Sequence, residues 1–161
     1  MGSIADSPLY VDDTSPISTL EIRAKALRLK NDKDLGLIIV DHLQRVKGPA
    51  RTLSRREEIT DVSRVLKALA LELNIPIIVL SQLRRKVEDG PGKRPQLPDL
   101  RESGEIGQYA DVIIFIYRDE VYNRIEDKSQ KGETEIIISK QPSGPMGMAI
   151  VYFDVNYLTP A

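Results

Sequence analysis

Leu37-Ile38-Ile39-Val40-Asp41 decides how the chain is read. Four apolar residues, three of them β-branched, run straight into one carboxylate. Such a continuous apolar run reads as a strand buried on both faces, the habit of a parallel sheet lying between helices. Its carboxyl end is where open α/β sheets bind ligands. In nucleotide-hydrolysing folds an Asp in that place holds the magnesium ion that bridges the phosphates. An apolar run followed by Asp is also an ordinary way for any strand to end, so the flanking sequence has to weigh between the two.

Upstream, Leu9-Tyr10-Val11-Asp12-Asp13 reads as a short strand ending in two carboxylates, and Thr14-Ser15-Pro16 as a turn. Ser18-Thr19-Leu20-Glu21 is a capping-box pattern. The helix it opens extends to about Lys30, with Leu20, Ala24 and Leu27 at helical spacing, and Asn31-Asp32-Lys33-Asp34 closes it. Strand, helix and strand at these lengths predict a right-handed parallel crossover unit.

Downstream of Asp41, the stretch Gln44 to Thr52 is polar and basic, with Arg45, Lys47, Gly48-Pro49 and Arg51. Ser54-Arg55-Arg56-Glu57 is a second capping box. Its helix presents Ile59, Val62, Val65, Leu66, Leu69 and Leu73 on one face, and Asn74 ends it. Ile75-Pro76-Ile77-Ile78-Val79-Leu80 predicts another strand buried on both faces, with Pro76 at its start, where a missing donor costs least. It leaves through Ser81-Gln82. Leu83 to Tyr109 is the longest irregular stretch and carries Arg84, Arg85, Lys86, Lys93, Arg94 and Arg101. Asp111-Val112-Ile113-Ile114-Phe115-Ile116 predicts a third buried strand, and Arg118 to Gly132 a charged linker. Glu133 to Lys140 and Met148 to Phe153 alternate in polarity across the turn Gln141-Pro142-Ser143-Gly144-Pro145. They predict an antiparallel edge on a mostly parallel sheet.

With 161 residues the chain is long enough for one domain with a core. Its 23 basic residues nearly cancel 24 acidic ones, so any nucleic-acid surface is local rather than global. The absence of Cys excludes disulfides and thiolate metal sites, and a single His excludes a His-cluster site. No apolar run is long enough to span a bilayer and no signal-peptide pattern opens the chain, so no membrane partner is expected and a cytoplasmic location is the default. Residues 1–8 read as a leader in which Met1-Gly2-Ser3 looks like a cloning scar.

If the strands ending at Asp41 and at Ser81-Gln82 are neighbours, Asp41 and Gln82 share one rim. A carboxylate for a metal beside an amide that senses a terminal phosphate suits nucleotide hydrolysis. The plain alternative is that Ser81 and Gln82 only start a loop. The basic stretch that follows can grip a phosphodiester backbone in a nucleotide-dependent way; the plain alternative there is a solvated charged loop. No aromatic residues interleave the cations, so base stacking is not indicated. His42 reads as a packed or hydrogen-bonded side chain. Glu21, Glu57 and Glu58 read as first-turn residues that complement the helix dipole.

Several stretches together resemble one family. They are Leu37 to Gln44, Leu80-Ser81-Gln82-Leu83, Lys93-Arg94-Pro95, Asp99-Leu100-Arg101-Glu102-Ser103-Gly104, Ala110-Asp111-Val112 and Phe115 to Glu120. In order, they resemble the motor domain of the bacterial replicative DNA helicases, the DnaB family. Tyr10 to Thr14 and Glu21 to Ala26 resemble the segment just before. The likeness makes residues 9–158 a partial motor domain, with a DNA-binding loop region at 83–109. Asp99 to Gly104 is its most specific piece.

The resemblance implies an α/β fold: a RecA-like, mostly parallel sheet flanked by helices, with an antiparallel C-terminal edge. It implies a homo-hexameric ring that translocates on single-stranded DNA and unwinds duplex, using ATP and Mg2+, with primase and a helicase loader as partners. By it, Asp41 is the Walker B carboxylate and holds Mg2+ indirectly. Ser81 and Gln82 face the nucleotide, and Gln82 couples phosphate state to the DNA loops. Lys140 reaches the phosphates of the neighbouring subunit's nucleotide. Arg101, Glu102 and Gly104 touch the DNA backbone, joined by Arg84, Arg85, Lys93 and Arg94.

The chain also departs from the family pattern. Where the family reads Lys-Gln-Arg-Asn-Gly-Pro, this chain has Lys140-Gln141-Pro142-Ser143-Gly144-Pro145, so Pro142 replaces the arginine finger. Glu105, Gly107 and Tyr109 stand for the usual Ser, Glu and Asp, and His42 for a common Tyr. No Gly-x-x-x-x-Gly-Lys-Ser/Thr occurs; the family's phosphate loop, its catalytic glutamate and its primase-binding domain lie upstream of the matching segment. The expectation is therefore a sheet truncated on its N-terminal side, with part of an apolar face bare and no ATP hydrolysis by this polypeptide alone. The second reading is a non-catalytic helicase-like module that binds DNA or a replication partner. A different RecA-like ATPase, of recombinase or clock type, is the third, and Asp99 to Gly104 argues against it.

Overall fold

The elements run β1 (Ile17–Ser18), α1 (Thr19–Lys33), β2 (Ile38–Val40), β3 (Val46–Lys47), α2 (Arg55–Leu73), β4 (Ile77–Val79), α3 (Ile106–Tyr109), β5 (Ile113–Tyr117), β6 (Glu133–Lys140) and β7 (Gly147–Tyr152). This computed structural model describes residues 7–48, 54–83, 94–103, 106–121 and 132–152, with the backbone alone at 101–103.

Ser18 starts α1 by the reciprocal bonds its pattern predicts. Its Oγ accepts the Glu21 N–H at 3.2 Å, and the Glu21 carboxylate accepts the Ser18 N–H at 2.8 Å. The helix closes at Asp34, in the left-handed region at φ 52°. Its buried face differs from the expected one. Thr19, Ile22 and Ala26 are buried, whereas Leu20 is 76% exposed and Ala24 is exposed; of the expected positions only Leu27 packs on the core. Polar and apolar residues are mixed evenly around this helix, so its tertiary neighbours choose the face.

The expected strand at Leu9–Asp13 does not form. Leu9, Tyr10 and Val11 are exposed, with no ladder partner among the described residues. The Asp12 carboxylate instead accepts the Thr14 N–H at 3.1 Å and the Lys25 ammonium at 2.6 Å, which holds the segment as a loop. The first strand is β1, paired in parallel with β3.

β2, α2 and β4 form the parallel crossover that sets the site. Ile38, Ile39 and Val40 pair with Ile77, Ile78 and Val79. α2 is capped by Ser54, whose Oγ accepts the Glu57 N–H at 3.2 Å and whose hydroxyl donates to the Glu57 carboxylate at 2.8 Å. Asn74 ends the helix at φ 51°. As expected, Ile59, Val62, Leu66, Leu69 and Leu73 are buried; they join Ile22, Ala26, Leu43, Val46 and Ile75 in the main core.

The strands are not buried on both faces, as their apolar runs predict. Ile38, Val40, Ile77 and Val79 pack on the core, but Ile39 and Ile78 are 59% and 48% exposed. β5 alternates, with Ile113, Phe115 and Tyr117 buried and Ile114 and Ile116 exposed. The helices that cover β2 and β4 supply a core on one side only. β5 also departs from the expected parallel pairing: its ladder to β6 is antiparallel, and β6 pairs with β7 likewise, giving a three-stranded antiparallel sheet. Part of the stretch expected to be irregular is helical. A 3-10 helix spans Leu97–Ser103 and precedes α3, and Leu100 packs with Ile113 and Phe115 in a second cluster. Among the described residues no helix is long and apolar enough to cross a membrane.

Candidate functional site

Main-chain pairing of β2 and β4 continues past their ladder. Leu80 N–H donates to the Val40 carbonyl at 3.0 Å, and Leu43 N–H to the Leu80 carbonyl at 2.9 Å. The two strands therefore leave the sheet together, carrying Asp41 on one and Ser81-Gln82 on the other. The Gln44 side chain bridges them. Its Nε2 donates to Ser81 Oγ at 3.1 Å, and its Oε1 accepts the Gln82 N–H at 3.4 Å. The Asp41 side chain is 74% exposed, with the half-buried His42 at 3.6 Å through Nδ1.

The loop after Asp41 is held from below and from the side. Leu43 and Val46 are buried, 1% and 2% exposed. The Arg55 guanidinium, in the first turn of α2, donates to the Gln44 carbonyl and to the Glu58 carboxylate. Glu58 also accepts the Gly48 N–H at 3.1 Å. A Cβ on Gly48 would come within 2.9 Å of Glu58 Cγ, so a larger residue here would have to displace the Glu58 side chain. Burial pushes the Glu58 carboxyl up, but the Gly48 N–H and Arg55 outweigh it and hold the group below the usual carboxylate range.

Lys140 lies apart from this rim. At the end of β6, its ammonium donates to the carbonyls of Gly107 and Ala110 at 2.8 and 2.7 Å, closing the C-terminus of α3. Beside it Lys67 donates to both oxygens of Asp111, at 2.7 and 2.6 Å. Lys140, Lys67 and Asp111, with Tyr109, Gln141 and Pro142, line a depression of about 290 Å3. Lys67 is twelve residues along α2 from the Arg55 that braces the rim, which is about 18 Å of helix. Within one chain, then, Asp41, Ser81 and Gln82 come together and Lys140 does not join them.

Of the expected DNA-contacting residues, Arg94 is tied into the antiparallel sheet. Its Nη2 donates to Glu135 Oε1 at 2.6 Å, and its guanidinium carbon lies 5.7 Å from the centre of the Tyr117 ring. Arg101 and Glu102 fall in the 3-10 helix at Leu97–Ser103. Arg84, Arg85, Lys93 and Gly104 lie outside the described residues.

Two participants are not picked out by the sequence. Gln44 stands three residues after Asp41 inside a motif already quoted, so its position is visible there but its partners are not. Lys67, between buried Leu66 and Leu69, reads as an ordinary solvent-facing lysine.

The rim suits a magnesium ion held with phosphates. Asp41 is exposed and an acceptor only, and among the described residues no three His, Asp or Glu converge. Mg2+ commonly takes one or two carboxylates and completes its shell with water and phosphate oxygens, which such a carboxylate allows.

A family model described as the DnaB-like helicase C-terminal domain matches residues 1–159. The replicative DNA helicase DnaB of Geobacillus stearothermophilus is 47% identical over 158 residues, 98% of this chain and 34% of that protein. That of Pasteurella multocida is 50% identical over 155 residues, 95% of this chain and 33% of that protein. The chain thus spans about a third of the length of these relatives. Among solved structures, one described as an ATPase domain is similar with a TM-score of 0.89 and 38% identity, over 96% of this chain and 54% of that one. A DnaB-like replicative helicase studied with primase is similar with a TM-score of 0.87 and 37% identity, over 94% of this chain and 37% of that one.

Proposed function

The chain belongs to the DnaB-like helicase C-terminal domain family and has its RecA-like fold, and from that premise we propose that it forms the metal, sensor and DNA-loop part of a ring-forming, ATP-dependent replicative DNA helicase. The observation that carries this reading is the rim, where Gln44 links the exit of Asp41's strand to Ser81 and Gln82. Mg2+ bound with ATP supplies the charge that neutralises the β- and γ-phosphate oxygens. Asp41 would hold that ion. Ser81 and Gln82 face the phosphates, and Gln82 passes their state to the basic stretch that follows it. Arg84, Arg85, Lys93, Arg94, Arg101, Glu102 and Gly104 contact the phosphodiester backbone of single-stranded DNA. Lys140, remote from its own rim, serves the nucleotide of the next subunit in a hexamer. Primase, a helicase loader and a cytoplasmic setting complete the assembly.

The polypeptide has no phosphate-loop sequence and does not hydrolyse ATP by itself. Turnover by the 161-residue chain that disappears in Asp41→Ala would overturn that statement. Pro142 favours a second reading, a non-catalytic module, because loss of an arginine finger costs about 10³- to 10⁵-fold in rate. Setting this chain in place of the matching third of the Geobacillus protein separates the two. The helicase reading expects DNA-stimulated ATP turnover that Asp41→Ala abolishes, that loses its DNA stimulation in Gln82→Ala, and that rises at least tenfold in Pro142→Arg. Absence of turnover even in Pro142→Arg selects the binding module.

A further inference from the structure

We infer that Gln44 is the positioning residue of the rim: its side-chain amide fixes the Gln82 main chain against the strand that carries Asp41. This rests on the reading that Gln82 answers to a terminal phosphate. The main-chain ladder between the two strands extends to the Leu43–Leu80 bond. Beyond it, the Gln44 side chain links the two strand exits, donating to Ser81 Oγ and accepting from the Gln82 N–H.

The chemistry selects glutamine. One planar amide offers a donor to the hydroxyl and an acceptor to the main-chain N–H, and the acceptor is the part that holds Gln82. A carboxylate offers only acceptors, although the Ser81 hydroxyl can turn to donate to it. A leucine offers neither. Asparagine has the right group on a stem one methylene too short.

The arm itself is anchored. Leu43, just before it, is 1% exposed, and the Gln44 carbonyl takes the Arg55 guanidinium. Arg55 also holds Glu58, and Glu58 holds the Gly48 N–H. A displacement of Gln82 on gain or loss of a phosphate therefore pulls on a braced loop, which resists it. Gln44 touches neither nucleotide nor metal in this scheme; it acts through Gln82.

Amide hydrogen exchange on the full 161-residue chain reads this without any nucleotide. In Gln44→Leu the Gln82 N–H exchanges at least threefold faster, while the Leu66 and Leu69 amides of α2 keep their wild-type rates. In Gln44→Glu, which retains the acceptor, Gln82 stays within about twofold of wild type. Equal Gln82 rates in Gln44→Leu and wild type overturn the proposal, as does a Glu variant that behaves like the Leu variant. Should Gln44→Leu lose the α2 protection, Gln44→Asn decides instead: faster exchange confined to Gln82 supports the role and an unchanged rate overturns it. Failure of the helicase reading shows elsewhere, as DNA stimulation retained in Gln82→Ala of the segment-exchanged Geobacillus protein, and leaves the exchange result standing.

Discussion

Tyr117 illustrates how a single side chain carries a pH signature. Burial and then the 2.6 Å hydrogen bond to Asp119 push its hydroxyl up to about 12, against about 10 for an unperturbed tyrosine. The fold favours the protonated form, so its contribution is complete below about pH 10 and is lost as pH rises to about 12. Wild type is expected to exceed Tyr117→Phe in urea midpoint at pH 8, with the gap closing between pH 10 and 12; a gap constant across that window sinks the assignment. Asp12 has the opposite sign. The Lys25 ammonium, followed by Thr14, holds its carboxyl down at about 2, so its contribution is present above about pH 4 and lost as pH falls toward 2. Arg94 is a different matter. It pairs with Glu135, whose side chain is 14% exposed and whose Oε2 is buried with no hydrogen-bond partner among the described residues. An Arg94 variant therefore has to be checked for stability before a change in DNA affinity is assigned to a lost phosphate contact.

Helix caps are the element-scale features that the sequence states most directly. Ser18→Ala removes the acceptor for the Glu21 N–H and is expected to cost about 1 kcal/mol, read from thermal or urea unfolding. An unchanged midpoint would mean that β1 alone fixes the start of α1. The apolar face of α2 is legible because its large residues, Ile59 to Leu73, recur at helical spacing over about four turns. The face of α1 is not, since its apolar residues mark no single stripe and α2 determines which of them are covered. Leu9 to Val11 have the composition of a strand but no strand to pair with among the described residues, and composition does not report a neighbour. The antiparallel direction of β5 is hidden for the same reason. At the site, Asp41, Ser81 and Gln82 are legible because each ends a strand. Gln44 and Lys67 owe their roles to partners 37 and 44 residues away, and local patterns carry no information at that range.

At the scale of the whole molecule, both larger sheets keep apolar side chains on the solvent side. Ile39, Ile78 and Leu80 do so on the parallel pair, and Ile114 and Ile116 on the antiparallel sheet; Met148 and Ile150 are exposed on that sheet's other face, across β6 from Phe115 and Tyr117. Patches of this kind mark surfaces made to be covered, and the similar ATPase domain has nearly half its chain beyond the region matched. The 161-residue chain alone is accordingly expected to bind an apolar fluorescent dye under native conditions and to self-associate at tens of micromolar. A monodisperse monomer that leaves the dye dark would contradict this. The same one-sided covering has a calorimetric consequence. The heat capacity increment of unfolding follows the apolar area newly exposed to water, about 12–15 cal/mol/K per residue in ordinary domains. Isoleucines already wetted in the native state add little to that increment. This chain should therefore melt with a shallow, low-increment transition, as a much shorter protein does.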